Sequence, residues 1–249
     1  MAGHSHWAGI KHKKAANDAK RGKVFSKIAR DIIHAAQTGG GDPGDNPRLR
    51  LSLEKARAAN MPNDKIERAI ARGTGELEGG QLEQFQLEGY GPGGVAFLVD
   101  VLTDNRKRTG PEVRMAFEKK GGNMGTQGSV AWMFEAKAIF AFSAEGRDEE
   151  ETLLAVADAG ADDLEVEEGM MVVTGPPDRF MDLRQALEGL AVEPESATIT
   201  FVPKNTVELD VDDARRVLSL ADDLEELDDV QCVTSNLDIP EELLMESGS

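Results

Sequence analysis

Apolar residues recur at helical spacing in the first part of the chain and at strand spacing over much of the rest. Within 23–37, Phe25, Ile28, Ala29, Ile32, Ile33 and Ala36 follow the i, i+3, i+4, i+7 rule of a helix with one buried face. Gly39-Gly40-Gly41 ends it, because three glycines cost too much backbone entropy to continue. Asn46-Pro47 reads as an N-cap followed by proline at the first helical position, and the helix it opens carries Leu49, Leu53 and Ala56 inward. Met61-Pro62 breaks that helix and starts a shorter one with Ile66, Ala69 and Ile70, closed by Gly73-Thr74-Gly75. The pattern predicts a small helical bundle with a polar tail ahead of it.

From about residue 82 the period shortens to two. Strands are expected at 84–89 and 95–102 around a glycine-rich turn, then a helix at 109–120 opened by a Thr109/Glu112 capping box. A glycine-rich loop from Gly121 to Ser129 and an apolar run from Val130 to Phe134 follow. Residues 137–202 then read β-α-β-β-α-β on their own, with strands Ala138–Phe142, Leu164–Val166, Met170–Thr174 and Ala197–Val202 and helices Asp148–Ala159 and Pro177–Leu187. That order is the ferredoxin-like arrangement. A helix at 211–227 and a strand at Val230–Ser235 have strands to pair with only in 84–134. The expected class is α+β: an N-terminal helical bundle plus two α/β-sandwich domains, one ferredoxin-like and inserted in the other. The boundaries expected are 1–78 for the bundle, 79–135 with 205–238 for the discontinuous domain, 136–204 for the insert, and 239–249 for a frayed tail.

Composition changes this picture in one respect. With 40% hydrophobic and 30% charged residues the chain is an ordinary globular one, and no run approaches the roughly 18 apolar residues of a membrane span. The opening MAGHSHWAGIKHKKAAN lacks the apolar core of a secretory signal, and Cys232 has no second cysteine to pair with, so a cytoplasmic location is expected. The net charge of −18 argues against nucleic acid until it is divided along the chain. Residues 1–75 hold 15 Lys+Arg against 7 Asp+Glu, a net of +8, whereas 76–249 hold 13 against 39, a net of −26. Salt screens exposed charges beyond about 8 Å, so an acidic body some distance away does not cancel a basic patch.

The basic segment has its own periodicity. Lys20, Lys23, Lys27 and Arg30 are 3, 4 and 3 residues apart and share one helix face, with Lys11, His12, Lys13, Lys14 and Arg21 before or beside it. Clustered Lys and Arg suit phosphate oxygens, and Trp7 and the histidines (His4, His6, His12, His34) offer rings to exposed bases. A charged outer face on an amphipathic helix is also what simple solvation produces. Arg106, Lys107 and Arg108, placed just before the capping box, form a second candidate phosphate contact, with a solvated loop as the alternative.

Other features tempt toward chemistry without supporting it. Gly89 to Gly94 spells G-x-G-x-x-G, but it joins strand to strand where a dinucleotide site needs strand to helix, and a tight turn with positive φ is the expected role. The histidines near the N-terminus lack the spacing of a metal site, and Cys232 reads as a small buried hydrophobe. The carboxylates at Asp222-Asp223 and Glu225-Glu226 lie on an outer helix face. No catalytic set, cofactor or metal is expected.

The strings MAGHSHWAGIKHKKAANDAKRGKVFSKIARDI and GGGDPGDNPRLRLSLEKARAANMPNDKIERAIARGTGE resemble the YebC/PmpR family of transcriptional regulatory proteins. The resemblance continues through EGYGPGGVAFLVDVLTDNRKRT, GGNMGTQGSVAWMF, NTVELD and LDDVQCVTSN, nearly the whole chain. It implies a three-domain α+β fold and a regulator rather than an enzyme. Relatives in that family are described either as DNA-binding transcription regulators or, including mitochondrial ones, as translational activators at the ribosome. His6 stands where the family usually has Lys, and Gly9 where Asn is common, which reduces the polar and charged character of the arm. Two partners therefore stand, DNA or ribosomal RNA, with the acidic domains offering a surface to a protein partner. The sequence supports no helix-turn-helix assignment that would decide between them.

Overall fold

The computed structural model describes residues 21–167 and 169–247. In chain order these form α1 (Arg21–Gly39), α2 (Pro47–Ala58), α3 (Asn63–Thr74), β1 (Glu83–Tyr90), β2 (Ala96–Thr103), α4 (Arg106–Lys119), β3 (Asn123–Met124), β4 (Phe134–Ser143), α5 (Glu149–Asp158), β5 (Asp163–Glu167), β6 (Met170–Gly175), α6 (Phe180–Gly189), β7 (Ser196–Pro203), β8 (Val207–Glu208), α7 (Val211–Glu225), β9 (Val230–Ser235), β10 (Leu237–Asp238) and α8 (Glu241–Ser247). The described residues fall into two compact units, 21–131 with 208–247, and 132–207.

In the first unit, α1, α2 and α3 bury Ile28, Ile32, Leu49, Leu53, Met61 and Ile66 against one another, with Phe25, Ile33 and Ile70 half-covered at the edge. Each fully buried Leu or Ile contributes about 2 kcal/mol relative to exposure. Gly40, at φ +85°, ends α1. Asn46 then serves both helices: its Oδ1 accepts from Leu49 N–H at 3.0 Å, and its Nδ2 donates to the carbonyls of Ala35 and Gly40, both at 2.8 Å. At Gly73 a Cβ would lie 2.5 Å from the Ile33 carbonyl oxygen, so glycine sets how closely α3 approaches α1.

The same unit contains an antiparallel sheet in the order β3-β1-β2-β9. β9 comes from beyond residue 207, so this sheet is discontinuous in sequence. Phe97 on β2 meets Phe117 of α4 edge to face, with ring centroids 5.7 Å apart, and α7 buries Val217, Leu220 and Leu224. Between β1 and β2 lies a tight turn with Gly93 at φ +66° and Gly94 at +76°, strand to strand as the motif context required.

Three local expectations are corrected. Helix α4 starts at Arg106, capped by Asn105, whose side chain accepts from the N–H groups of Lys107 and Arg108; Thr109 is no cap, because its hydroxyl is committed to Asp229. Cys232 is half-buried rather than buried, because a bulge opposite Asp100/Val101 interrupts the alternation of β9 and turns Val230 and Val233 inward instead. Residues 241–247, expected to fray, form α8, with Leu243 buried and Arg215 bonded to Glu246 at 2.5 Å.

The second unit is a four-stranded antiparallel sheet, β5-β6-β4-β7, with Phe140 of β4 packed on Phe180 of α6 at 4.8 Å. Numbering its strands along the chain, the order is 2-3-1-4, that of a ferredoxin-like fold. The α+β class expected from the pattern is the one observed. Among the described residues, no helix is long and apolar enough to cross a membrane.

The glycine-rich loop after α4 is held by a single carboxylate. Glu88 of β1, 4% exposed, accepts from the backbone N–H of Gly128 and Val130 at 2.6 Å and of Ala131 at 2.8 Å. Burial pushes its carboxyl up, but these three amides outweigh that and hold it below the ordinary glutamate range. Glu88→Gln keeps the shape but sets an NH2 group against backbone donors. We expect a loss of about 2–3 kcal/mol in urea unfolding at neutral pH. Because the folded value is depressed, the wild-type advantage is full above about pH 4.3 and shrinks as pH falls through the folded value. An advantage unchanged down to about pH 3 would contradict the role given to the carboxylate.

Candidate nucleic-acid interface

The cations expected at the interface fall into distinct environments. Lys11, His12, Lys13, Lys14 and Lys20 lie outside the described residues, as do Trp7, His4 and His6, and Arg21 opens α1. Lys23, Lys27 and Arg30 do follow one another along α1, but two of them face an acidic turn between α7 and β9. Lys23 Nζ donates to the Glu226 carbonyl at 2.8 Å and pairs with the Glu226 carboxylate. Arg30 donates to the Asp228 carbonyl at 2.6 Å and lies 3.1 Å from Asp229 Oδ1. Lys27 is half-exposed and close enough to Asp31 to act on its charge. His34 is 8% exposed, which corrects the expectation that it offers a ring to a base. Burial holds its imidazole below the ordinary histidine value.

Of the second cluster, Arg106 pairs with Glu83 at 2.6 Å, its guanidinium 4.1 Å from the centre of the Phe85 ring. Lys107 is exposed, with no ion pair among the described residues. Arg108 donates to Asp229 Oδ2 at 2.7 Å and Asp104 Oδ1 at 2.9 Å. All three sit in the first turn of α4, whose leading amides are already taken by Asn105.

Asp229 is thus the hub of this region. It is 3% exposed, and its Oδ2 accepts from Arg108, from Thr109 Oγ1 at 2.7 Å and from Thr103 Oγ1 at 2.9 Å. Burial raises its carboxyl, yet the bonds from Arg108, Thr109 and Thr103 and the charge of Arg30 overcome this and leave it below the ordinary aspartate value. The cleft around it, about 810 Å³, is lined by Lys23, Arg30, Arg72 and Arg108 but also by Asp104, Glu112, Glu226 and Asp228. Its charge is mixed.

A cation set not anticipated from the sequence lies on α3. Lys65, Arg68 and Arg72 stand at i, i+3 and i+7, all exposed. They border a second groove, about 230 Å³, whose wall is Phe25, Ala29 and Ile33 of α1 with Met61 and Ala69. Lys65 Nζ lies 5.3 Å from the Phe25 ring centre, and none of the three has a carboxylate partner among the described residues. Their i, i+3, i+7 spacing is the signal in the sequence, weaker than the denser run of cations on α1.

A helical bundle bearing clustered cations, joined to a discontinuous α+β body that carries a ferredoxin-like unit, defines the class of protein. The description "TACO1/YebC protein N-terminal domain" matches residues 5–76, and "TACO1/YebC second and third domain" matches 82–237. The chain belongs to the TACO1/YebC family. It is 51% identical to a "Probable transcriptional regulatory protein" of Maridesulfovibrio salexigens over 99% of each chain. It is 52% identical to one of Treponema denticola, covering 97% of this chain and 98% of that one. A crystal structure of a conserved hypothetical protein from Aquifex aeolicus, 49% identical, superposes with a TM-score of 0.85 over 96% of this chain and 99% of that one.

Two ion pairs on α1 should differ sharply in worth. Asp229→Asn leaves Arg108 and Arg30 facing a neutral amide in a buried site, and we expect it to cost about 3 kcal/mol in thermal or urea unfolding. Glu226→Gln removes a half-exposed pair and should cost about 0.5 kcal/mol or less. Equal effects would remove Asp229 from its position as hub.

Proposed function

We propose that the protein is a non-enzymatic regulator that contacts nucleic acid through its helical N-terminal part, residues 1–78. The observation that carries this is the charge division: a net of +8 over residues 1–75 in a chain of net −18. Lys11, Lys13, Lys14, Lys20 and Arg21, with Lys27 on α1 and Lys107 on α4, would meet phosphates, and His12 would lie among them. Lys23, Arg30 and Arg108 contribute only by giving up carboxylate or carbonyl partners within the chain, so their net gain on binding is small. Arg106 is engaged with Glu83 at the surface, where exchange for a phosphate costs little.

Duplex DNA as the target agrees with the names of the relatives, and the acidic remainder of the chain would keep the contact confined to the bundle or receive a protein partner. Ribosomal RNA is the second reading. It is favoured by the groove beside α3, where half-buried apolar side chains adjoin cations, since unstacked bases are more available in RNA.

Affinity for a duplex should fall with salt. If about five phosphates are neutralised, a plot of log affinity against log salt should slope near −4.5. A flat response would remove nucleic-acid contact as the mechanism. In cells, crosslinking followed by sequencing of the bound DNA and RNA, with Lys20→Glu/Lys27→Glu as control, separates the two targets. Promoter enrichment lost in the variant supports DNA; ribosomal RNA enrichment lost in the variant supports the translation reading.

A further inference from the structure

We infer that the groove between α1 and α3 binds an unpaired stretch of nucleic acid, with Lys65, Arg68 and Arg72 on its phosphates and Phe25, Ala29 and Ile33 against an unstacked base. This rests on the proposed reading that the bundle contacts nucleic acid, and adds which surface does so and in what form the strand arrives.

Charge complementarity distinguishes this groove from the larger cleft that adjoins it around Asp229. Ser26, Ala29, Ile33 and Arg72 line both. The cleft adds Asp104, Glu112, Glu226, Asp228 and Asp229, so an entering phosphate meets carboxylates that already satisfy the local cations. Among the described residues the groove has no carboxylate in its lining, and its three cations are exposed. A polyanion gains there without displacing an internal partner. The chain's own segment 11–20, with Lys11, Lys13, Lys14 and Lys20 against Asp18, carries the wrong sign to complement it.

The geometry also selects the form of the ligand. From Lys65 to Arg72 is seven residues, about 10 Å along a helix at 1.5 Å per residue. Cations spread over that length can follow the backbone of a single strand. Phe25, Ala29 and Ile33 recur at four-residue spacing on α1, facing those cations across the groove, and are only half-covered by the bundle core. A duplex keeps its bases stacked and offers such a wall nothing apolar. A single strand can turn a base onto it while the phosphates stay on α3.

The test uses the full-length protein and fluorescence anisotropy with two labelled probes, a 12-nucleotide single-stranded RNA of mixed sequence and a duplex DNA of the same length. The variants are Lys65→Glu/Arg68→Glu/Arg72→Glu, its neutral counterpart with Gln at all three positions, and Arg179→Glu/Arg184→Glu/Lys204→Glu as a control of equal charge change; melting curves confirm that each is folded. We expect the α3 charge reversal to weaken RNA binding at least about tenfold and to flatten the salt slope by about 2, three contacts at about 0.7 each, with the Gln variant reproducing the slope change and the control leaving it intact. Phe25→Leu should weaken RNA binding several-fold and leave duplex binding unchanged. If RNA binding is strong and equal in the α3 variants and the control, the groove is not the site while the proposed function stands. If the α3 variants lose duplex and RNA equally and Phe25→Leu affects neither, the single-strand assignment is wrong. If the wild type binds neither probe, the proposed function itself fails.

Discussion

A carboxylate withdrawn from water must be matched by donors, and at Asp229 that requirement organises the first unit. Its Oδ2 gathers Thr103 from the end of β2, Thr109 and Arg108 from the first turns of α4, and its other oxygen faces Arg30 from α1. Three stretches far apart in sequence, at residues 30, 103–109 and 229, are therefore placed by one charge. The desolvation cost of that charge would be several kcal/mol if it were alone, and it is tolerated only because both hydroxyls and both guanidiniums are in position. The position of α1 against the sheet, and so the side of the bundle left open, follows from it. Of these four partners only Arg30, which meets Asp229 as an ion pair and hydrogen-bonds the Asp228 carbonyl, comes from the helical bundle, and the neighbouring Lys23–Glu226 pair reinforces the same docking at the surface.

Glu88 does comparable work at the other end of the sheet. Three backbone amides of the loop following β3 converge on it, and Gly125 N–H donates to its own carbonyl at 2.8 Å, while Tyr90 Oη donates to the Ser129 carbonyl at 3.0 Å. These contacts explain why the strings that carry the family resemblance are distributed as they are. EGYGPGG meets GGNMGTQGSV through Glu88, and VLTDNRKRT meets LDDVQCVTSN through Asp229. Read along the chain, these look like separate candidate sites. Folded, they are two junctions, each a buried acid with its donors, and the glycines between them allow close backbone approach.

This is also where reading the sequence ends. The helices of the bundle, the Asn46 cap, the hairpin at Gly93-Gly94 and the interrupted sheet all follow from periodicity and turn chemistry, which are local. Local rules also offered a capping box at Thr109, and tertiary structure overrode it: Asn105, four residues earlier, caps the helix through the amides of Lys107 and Arg108, and the Thr109 hydroxyl donates to Asp229. The bulge in β9 that turns Val233 inward is likewise a property of the pairing with β2, invisible in β9 alone. For the interface, the sequence located the positive charge but not its availability. Lys23 and Arg30 share a helix face as the spacing demands, yet the residues opposite them come about 200 positions later, and no periodicity reports that. Lys65, Arg68 and Arg72 obey the same spacing rule and find no such partners among the described residues.

Uniformly spread, a net of −18 would repel nucleic acid; what matters within a screening length of about 8 Å is the local balance. Around Asp229 that balance is close to neutral, because each cation lining the cleft except Arg72 has an intrachain acceptor. Those pairs are spent on architecture, and drawing Arg30 or Arg108 away to a phosphate would strand a buried carboxylate. On α3 the balance is positive and, among the described residues, no ion pair has to be broken. A charge count along the sequence therefore misses that Lys23 and Arg30 of α1 are paired within the chain while Lys65, Arg68 and Arg72 of α3 have no carboxylate partner among the described residues.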